Sequence, residues 1–178
     1  MIKLKSLLLE DAVKKLRVFD MDDTLITSQS RVIVNHADGN RSYLTPGEYA
    51  VYVKNPDDEM DYSEFSKLVN PREVKAMTKV LRIFYQAAGY RKLTILTARG
   101  HEAPLREFLE DIGIKNIEII ALGDSDPEKK AEWIEDRIGE GYNDIFFADD
   151  SHKNIAAVSR LKGKYPHVKW EIRLAKYR

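Results

Sequence analysis

Four short apolar runs punctuate the chain, at 16–20, 93–97, 117–122 and 144–148, each bounded by polar or turn-forming residues, and 169–174 is predicted as a fifth strand. Runs of that length and composition predict strands buried on both faces. Between the later runs, apolar residues return every three or four positions instead. Val74, Met77, Leu81, Phe84 and Ala88 follow Asn70-Pro71, which reads as a helix cap with proline at the first helical position, and Gly89 closes the segment. Leu105, Leu109 and Ile112 mark a helix over 102–112 ending at Gly113. Ala131, Ile134 and Ile138 mark another over 127–138, opened by Asp126-Pro127 and stopped at Gly139. A further helix is predicted over 152–162, ended by Gly163, and a short packing helix over 3–15, with Leu4, Leu7 and Leu8 on one side.

Strands that alternate with helices predict an α/β fold: a doubly wound, mostly parallel sheet covered on both faces. In that architecture ligands bind beyond the carboxyl ends of the strands. The stretch 28–63 breaks the rhythm. Val32 and Val34 alternate with polar neighbours, Asp38-Gly39 is a hairpin turn signal, and Tyr43 with the run 49–53 supplies candidate returning strands. This predicts a small β flap inserted after the first strand, within a single domain spanning 1–178. Asp57, Asp58, Glu59 and Asp61 read as solvated surface of that flap.

Composition narrows the functional classes. The 29 basic and 29 acidic residues balance, so no global field favours nonspecific binding to nucleic acid or membrane. No cysteine is present, which excludes disulfides, thiolate ligands and thiol nucleophiles. The Leu7 to Leu9 run is too short for a signal-peptide core and no stretch approaches a membrane span, so a soluble cytoplasmic protein is expected.

The strand ends carry the chemistry. The first delivers Asp20, Asp22 and Asp23; the second, Thr97 and Arg99; the fourth, Asp149 and Asp150. Carboxylates this close repel one another unless one is neutralised, hydrated or bound to a cation. Two such clusters on one sheet edge make an oxygen-rich site suited to Mg²⁺, the other reading of the first cluster being a solvated acidic turn.

Asp20-Met21-Asp22-Asp23-Thr24 resembles motif I of the haloacid dehalogenase superfamily, Asp-x-Asp-x-Thr, and Ile95-Leu96-Thr97-Ala98-Arg99 resembles its motif II. Phe146-Phe147-Ala148-Asp149-Asp150 is similar to motif IV. Lys129 and Lys130 are both candidates for the family's motif III lysine. Lys130 is preferred because it lies nineteen positions before Asp149, a spacing similar to that in the 3′-phosphatase domain of polynucleotide kinases. Response-regulator receivers use similar residues, but their phosphorylated Asp sits on the third strand, where this chain ends in Ala121-Leu122-Gly123.

The resemblance implies a magnesium-dependent phosphatase. Asp20 would be the nucleophile that forms an aspartyl-phosphate, and Asp22 the general acid and base. Thr97 and Lys130 would hold phosphoryl oxygens, and Mg²⁺ would sit on Asp20, the Asp22 carbonyl, Asp149 and Asp150. Arg99 is a candidate for binding substrate phosphate, with surface ion pairing as its other reading. A small flap leaves the site open to extended substrates. Residues 160–178 are rich in Lys and Arg interleaved with Tyr165, Trp170 and Tyr177, a pattern compatible with nucleic acid, the alternative being a solvated helix and strand. His36, Arg41 and Tyr43 are further flap residues that could reach a substrate. Nucleic-acid ends or nucleotides are therefore the expected substrates of the enzyme reading. A non-catalytic phosphate-binding or regulatory module with the same fold is the alternative.

Overall fold

The computed structural model describes residues 12–176. Five strands form one parallel sheet: β1 (Lys15–Phe19), β7 (Lys92–Thr97), β8 (Glu118–Ala121), β9 (Asp144–Asp149) and β10 (Lys169–Leu174). They stand in the order β10-β9-β1-β7-β8, and every neighbouring pair is parallel. From β1 the chain winds outward through β7 and β8, then crosses back to β9 and β10. The order therefore reverses between β1 and β9, the place on the carboxyl edge where sheets of this kind bind ligands.

Alternation along each strand builds two cores. Phe19, Ile95 and Phe146 face one side with Leu81 of α2 (Lys75–Gln86) and Leu105 and Leu109 of α3 (Ala103–Asp111). Val18, Leu96 and Phe147 face the other, against Ala131 and Ile134 of α4 (Pro127–Gly139) and Ala157, Val158 and Leu161 of α5 (His152–Lys164). Phe19 and Phe146 stack at 5.1 Å between ring centres and Phe84 closes the cluster, so truncating Phe19 to Ala would cost about 3–5 kcal/mol.

Between β1 and α2 lies an insertion. Its base is a two-stranded antiparallel ribbon, β2 (Ile26–Thr27) with β6 (Arg72–Glu73). Beyond it, β3 (Val32–Asn35), β4 (Arg41–Leu44) and β5 (Glu59–Asp61) form an antiparallel sheet in the order β4-β3-β5. Asp38 and Gly39 lie in the β3–β4 connection as expected, with Gly39 at φ 85°.

Several boundaries differ from the sequence reading. The run 49–53 is not a returning strand: Thr45 and Glu48 form a reciprocal capping box that starts α1 (Pro46–Val51), and β5 takes the third place in the sheet. Asn70-Pro71 does not open a helix. Asn70 turns at φ 45°, β6 follows, and α2 begins only at Lys75. Helix α5 continues through Gly163 to Lys164. The predicted helix over 3–15 falls largely outside the described residues, and Lys15 already belongs to β1. Among the described residues, no helix is long and apolar enough to cross a membrane.

Candidate metal centre and its lysine

The site begins where β1 stops. The Asp20 amide donates to the Ala148 carbonyl at 2.9 Å and extends the β1–β9 ladder by one residue. The chain then folds back tightly: the Leu25 and Ile26 amides both donate to the Met21 carbonyl, and Asp23 adopts φ 56°. Met21, Leu25 and Ile26 are fully buried and pin this loop at the carboxyl end of β1. Thr24 is also buried, and its hydroxyl finds no hydrogen-bond partner among the described residues.

Asp20, Asp149 and Asp150 present oxygens that all lie within 4.8 Å of one another. Lys130, on the first turns of α4 and 3% exposed, places its ammonium 2.6 Å from Asp20 Oδ1 and 2.7 Å from Asp149 Oδ2. Lys129 pairs with Glu132 on the surface, so of the two candidate lysines Lys130 is the one at the carboxylates. Three carboxylates thus face one ammonium.

Protonation follows from that imbalance. Burial, opposed by Lys130 and reinforced by Asp149, Asp150 and Asp22, holds the Asp20 carboxyl well above the usual carboxylate range. Burial, with the charges of Asp149 and Asp23, pushes Asp150 up to about 7. Burial works against the Lys130 charge, yet Asp20 and Asp149 outweigh it and raise the ammonium above its ordinary value. Lys130 stays charged, while the carboxylates compete for too little positive charge. Three oxygen donors and an excess of two negative charges fit a hard divalent cation such as Mg²⁺.

Asp149 is held firmly. Asn154 Nδ2 donates to both its oxygens at 3.0 Å, and the Ser151 amide donates to Oδ1 at 2.8 Å. Ser151 is also the N-cap of α5, its hydroxyl accepting from the Asn154 amide. Sequence reasoning missed both residues, although a capping serine followed three positions later by an amide, directly after Asp149-Asp150, was the available signal.

Thr97 ends β7, on the same sheet edge, and is buried; its hydroxyl accepts the Arg99 amide at 3.2 Å and keeps its own hydrogen to donate. Asp22 does not sit among carboxylates alone. Arg99 grips it in a two-pronged pair, Nε to Oδ2 and Nη2 to Oδ1, each at 2.7 Å. Arg99, expected either on substrate or in a surface pair, is 3% exposed and wholly committed to protein partners.

The outlying candidates are occupied as well. His36 lies between Asp58 and Ser42, at 2.9 and 2.7 Å. Asp58 is buried rather than solvated and also accepts from the Tyr52 hydroxyl and the Asn55 amide. Arg31 stacks on the ring of Tyr43. In the basic C-terminal segment, Arg160 pairs with Glu128, Lys164 with Glu135 and Arg173 with Glu171, so much of its charge is answered within the protein.

Fold and site together define a parallel α/β protein with a carboxylate–lysine centre at the point where its strand order reverses. No protein-family model, no curated protein and no solved structure matches the chain.

Proposed function

We propose that this chain is a magnesium-dependent phosphomonoester hydrolase of the haloacid dehalogenase type, with Asp20 as nucleophile. The observation that carries the reading is the gathering of Asp20, Asp149 and Asp150 around Lys130 at the strand-order reversal. The ordered motifs at the ends of β1, β7 and β9 support it. Asp20, Asp149 and Asp150 would hold Mg²⁺ together with the Asp22 carbonyl. When bound, the cation offsets the repulsion between a carboxylate nucleophile and a phosphate dianion and stabilises charge on the phosphoryl oxygens.

The chain's own groups then divide the work. An Asp20 oxygen bonds to phosphorus as the ester P–O bond breaks, and the leaving oxygen takes a proton from Asp22. Water, deprotonated by Asp22, attacks the aspartyl-phosphate at phosphorus and releases inorganic phosphate. Lys130 keeps Asp20 and Asp149 in register and offers positive charge to the transferring group; Thr97 donates its hydroxyl hydrogen to a phosphoryl oxygen. In the geometry described, both Asp22 oxygens accept from Arg99, so proton transfer requires one of those bonds to open. That lock is also the one observation favouring the second reading, a phosphate-binding or regulatory module without turnover.

For substrate, nucleic-acid 3′-ends or nucleotides remain the preferred class, supported by the Lys130 to Asp149 spacing of nineteen positions. The basic C-terminal segment adds less, since Arg160, Lys164 and Arg173 are paired with acidic neighbours. The deciding experiment is Mg²⁺-dependent phosphate release from oligonucleotide 3′- and 5′-phosphates, mononucleotides, phosphosugars and phosphopeptides. Release from a nucleotide-class substrate is expected, falling at least about 1,000-fold in Asp20→Asn with the fold intact. A variant that keeps most of its activity overturns the mechanism; activity confined to sugars or peptides overturns the substrate class. Mg²⁺ binding without turnover of anything in the panel establishes the module instead.

A further inference from the structure

Arg99 stands where three parts of the molecule meet. Its own amide holds the Thr97 hydroxyl at the tip of β7, and its Nε and Nη2 hold Asp22 in the loop after β1. The remaining donors reach the insertion. Nη1 donates to the carbonyls of Phe65 and Lys67, both at 3.1 Å, and Nη2 donates to the Ser28 hydroxyl at 3.2 Å. A guanidinium has five N–H donors, and all five are engaged. The Phe65 ring lies over the guanidinium plane at 4.6 Å.

The two limbs of the insertion are zipped together at this same place. Ser30 Oγ donates to the Lys67 carbonyl and accepts from the Val69 amide, while the Gln29 amide donates to the Val69 carbonyl at 2.8 Å. Residues 28–30 leaving the core and 65–69 returning to it therefore land on Arg99 as one unit. A buried guanidinium cannot lose partners without replacement, because an unpaired buried charge is costly. Moving this unit away from Arg99 strips two or three of its hydrogen bonds, so the guanidinium must shift and its grip on Asp22 must change with it.

We propose that Arg99 is a positioning residue that ties the insertion to the Asp22 carboxylate, so that the placement of the insertion decides whether Asp22 is held or released to serve a substrate. The tie itself is read from the contacts; its effect on turnover rests on the phosphatase reading above. A resting enzyme keeps Asp22 locked, and a substrate that displaces the limbs unlocks it.

Hydrogen–deuterium exchange on the full chain tests the tie without any need for activity. Arg99→Lys keeps the charge but not the fork, and Asp22→Asn breaks the same fork from the other side. Both variants should speed exchange of the amides in 28–30 and 65–69 by roughly tenfold, a factor corresponding to about 1.4 kcal/mol, while the central strands stay protected. Unchanged exchange in both overturns the tie. Steady-state kinetics of Arg99→Lys then test its use: with the fork weakened Asp22 is freed without displacement of the limbs, so kcat/KM rises several-fold while the Ki of inorganic phosphate stays within about twofold, and a roughly tenfold fall in kcat would overturn the lock. A Ki raised tenfold with kcat preserved would place Arg99 on the substrate and overturn the positioning role. If the wild-type chain turns over nothing, the phosphatase reading fails, and the exchange result still decides the tie.

Discussion

Among the described residues, acidic side chains are buried in two places and treated in opposite ways. In the insertion, Asp58 accepts from the Tyr52 hydroxyl, the Asn55 amide and His36, and these donors hold its carboxyl down at about 2. At the sheet edge, Asp20 and Asp150 share a single ammonium with Asp149, and both are pushed upward, Asp150 to about 7. Donors gathered on one carboxylate make it structural; carboxylates that outnumber the positive charge facing them make a site that takes up a cation or a proton. Burial alone separates nothing, since both places are buried. The count of partners does.

Removing the one cation from the crowded place should have the largest effect. Lys130→Met leaves three carboxylates with no ammonium, and urea unfolding at pH 8 should show a loss of about 3–5 kcal/mol that shrinks at pH 5 as the carboxyls take protons. A loss under about 1 kcal/mol at pH 8 would mean the cluster does not depend on Lys130.

Adding a cation is the converse, with a smaller effect. Because the folded-state value of Asp150, about 7, lies above its unfolded one, the folded state binds more protons between about pH 4 and 7 and metal-free stability falls as pH rises through that window, with Asp20, also raised, acting in the same direction. Mg²⁺ at a hundred times its Kd should restore about 2.7 kcal/mol at pH 8, and clearly less at pH 5 where protons compete. Equal stabilisation at both pH values, or stabilisation that survives Asp149→Asn, breaks the metal assignment.

Asp58 should give the smallest effect, with the reverse sign. Its folded value lies below its unfolded one, so its contribution is fully present above about pH 4 and is lost as pH falls through about 2. Amide exchange within 32–61, corrected for intrinsic rates, should accelerate between pH 4 and 2. In Asp58→Asn that step should vanish and exchange at pH 4 should already be fast; an unaltered step would show that another group loosens the insertion.

The same contrast explains what could be read from the chain beforehand. Strands β1, β7, β8 and β9 were legible because each is a local apolar run, and β10 because Trp170, Ile172 and Leu174 alternate with charged residues; Asp20 and Asp149 stood out at the ends of such runs, and Lys130 in the first turns of the helix before β9. Asp22 and Arg99 were legible as residues but not as partners, since their pairing joins loops 77 positions apart. The insertion was hardest. Asn70-Pro71 looks like a helix start, but pairing of Arg72 and Glu73 with the distant Ile26 and Thr27 overrides the local signal. The capping box at Thr45 and Glu48 was written in the sequence, yet the β-prone residues of 49–53 masked it. Burial of Asp58 depends on a fold made elsewhere, and no local pattern announces it.

The strand-order reversal also sets a timetable. Asp20 is synthesised 110 residues before Lys130, and Asp149 follows later still, so an emerging chain carries Asp20 as an ordinary solvated carboxylate through most of its synthesis. Only when β9 docks beside β1 do the acidic groups meet, and that parallel pairing across a long separation belongs to the slow part of folding. The crowding of the three carboxylates around Lys130 is thus postponed until β9 has docked beside β1.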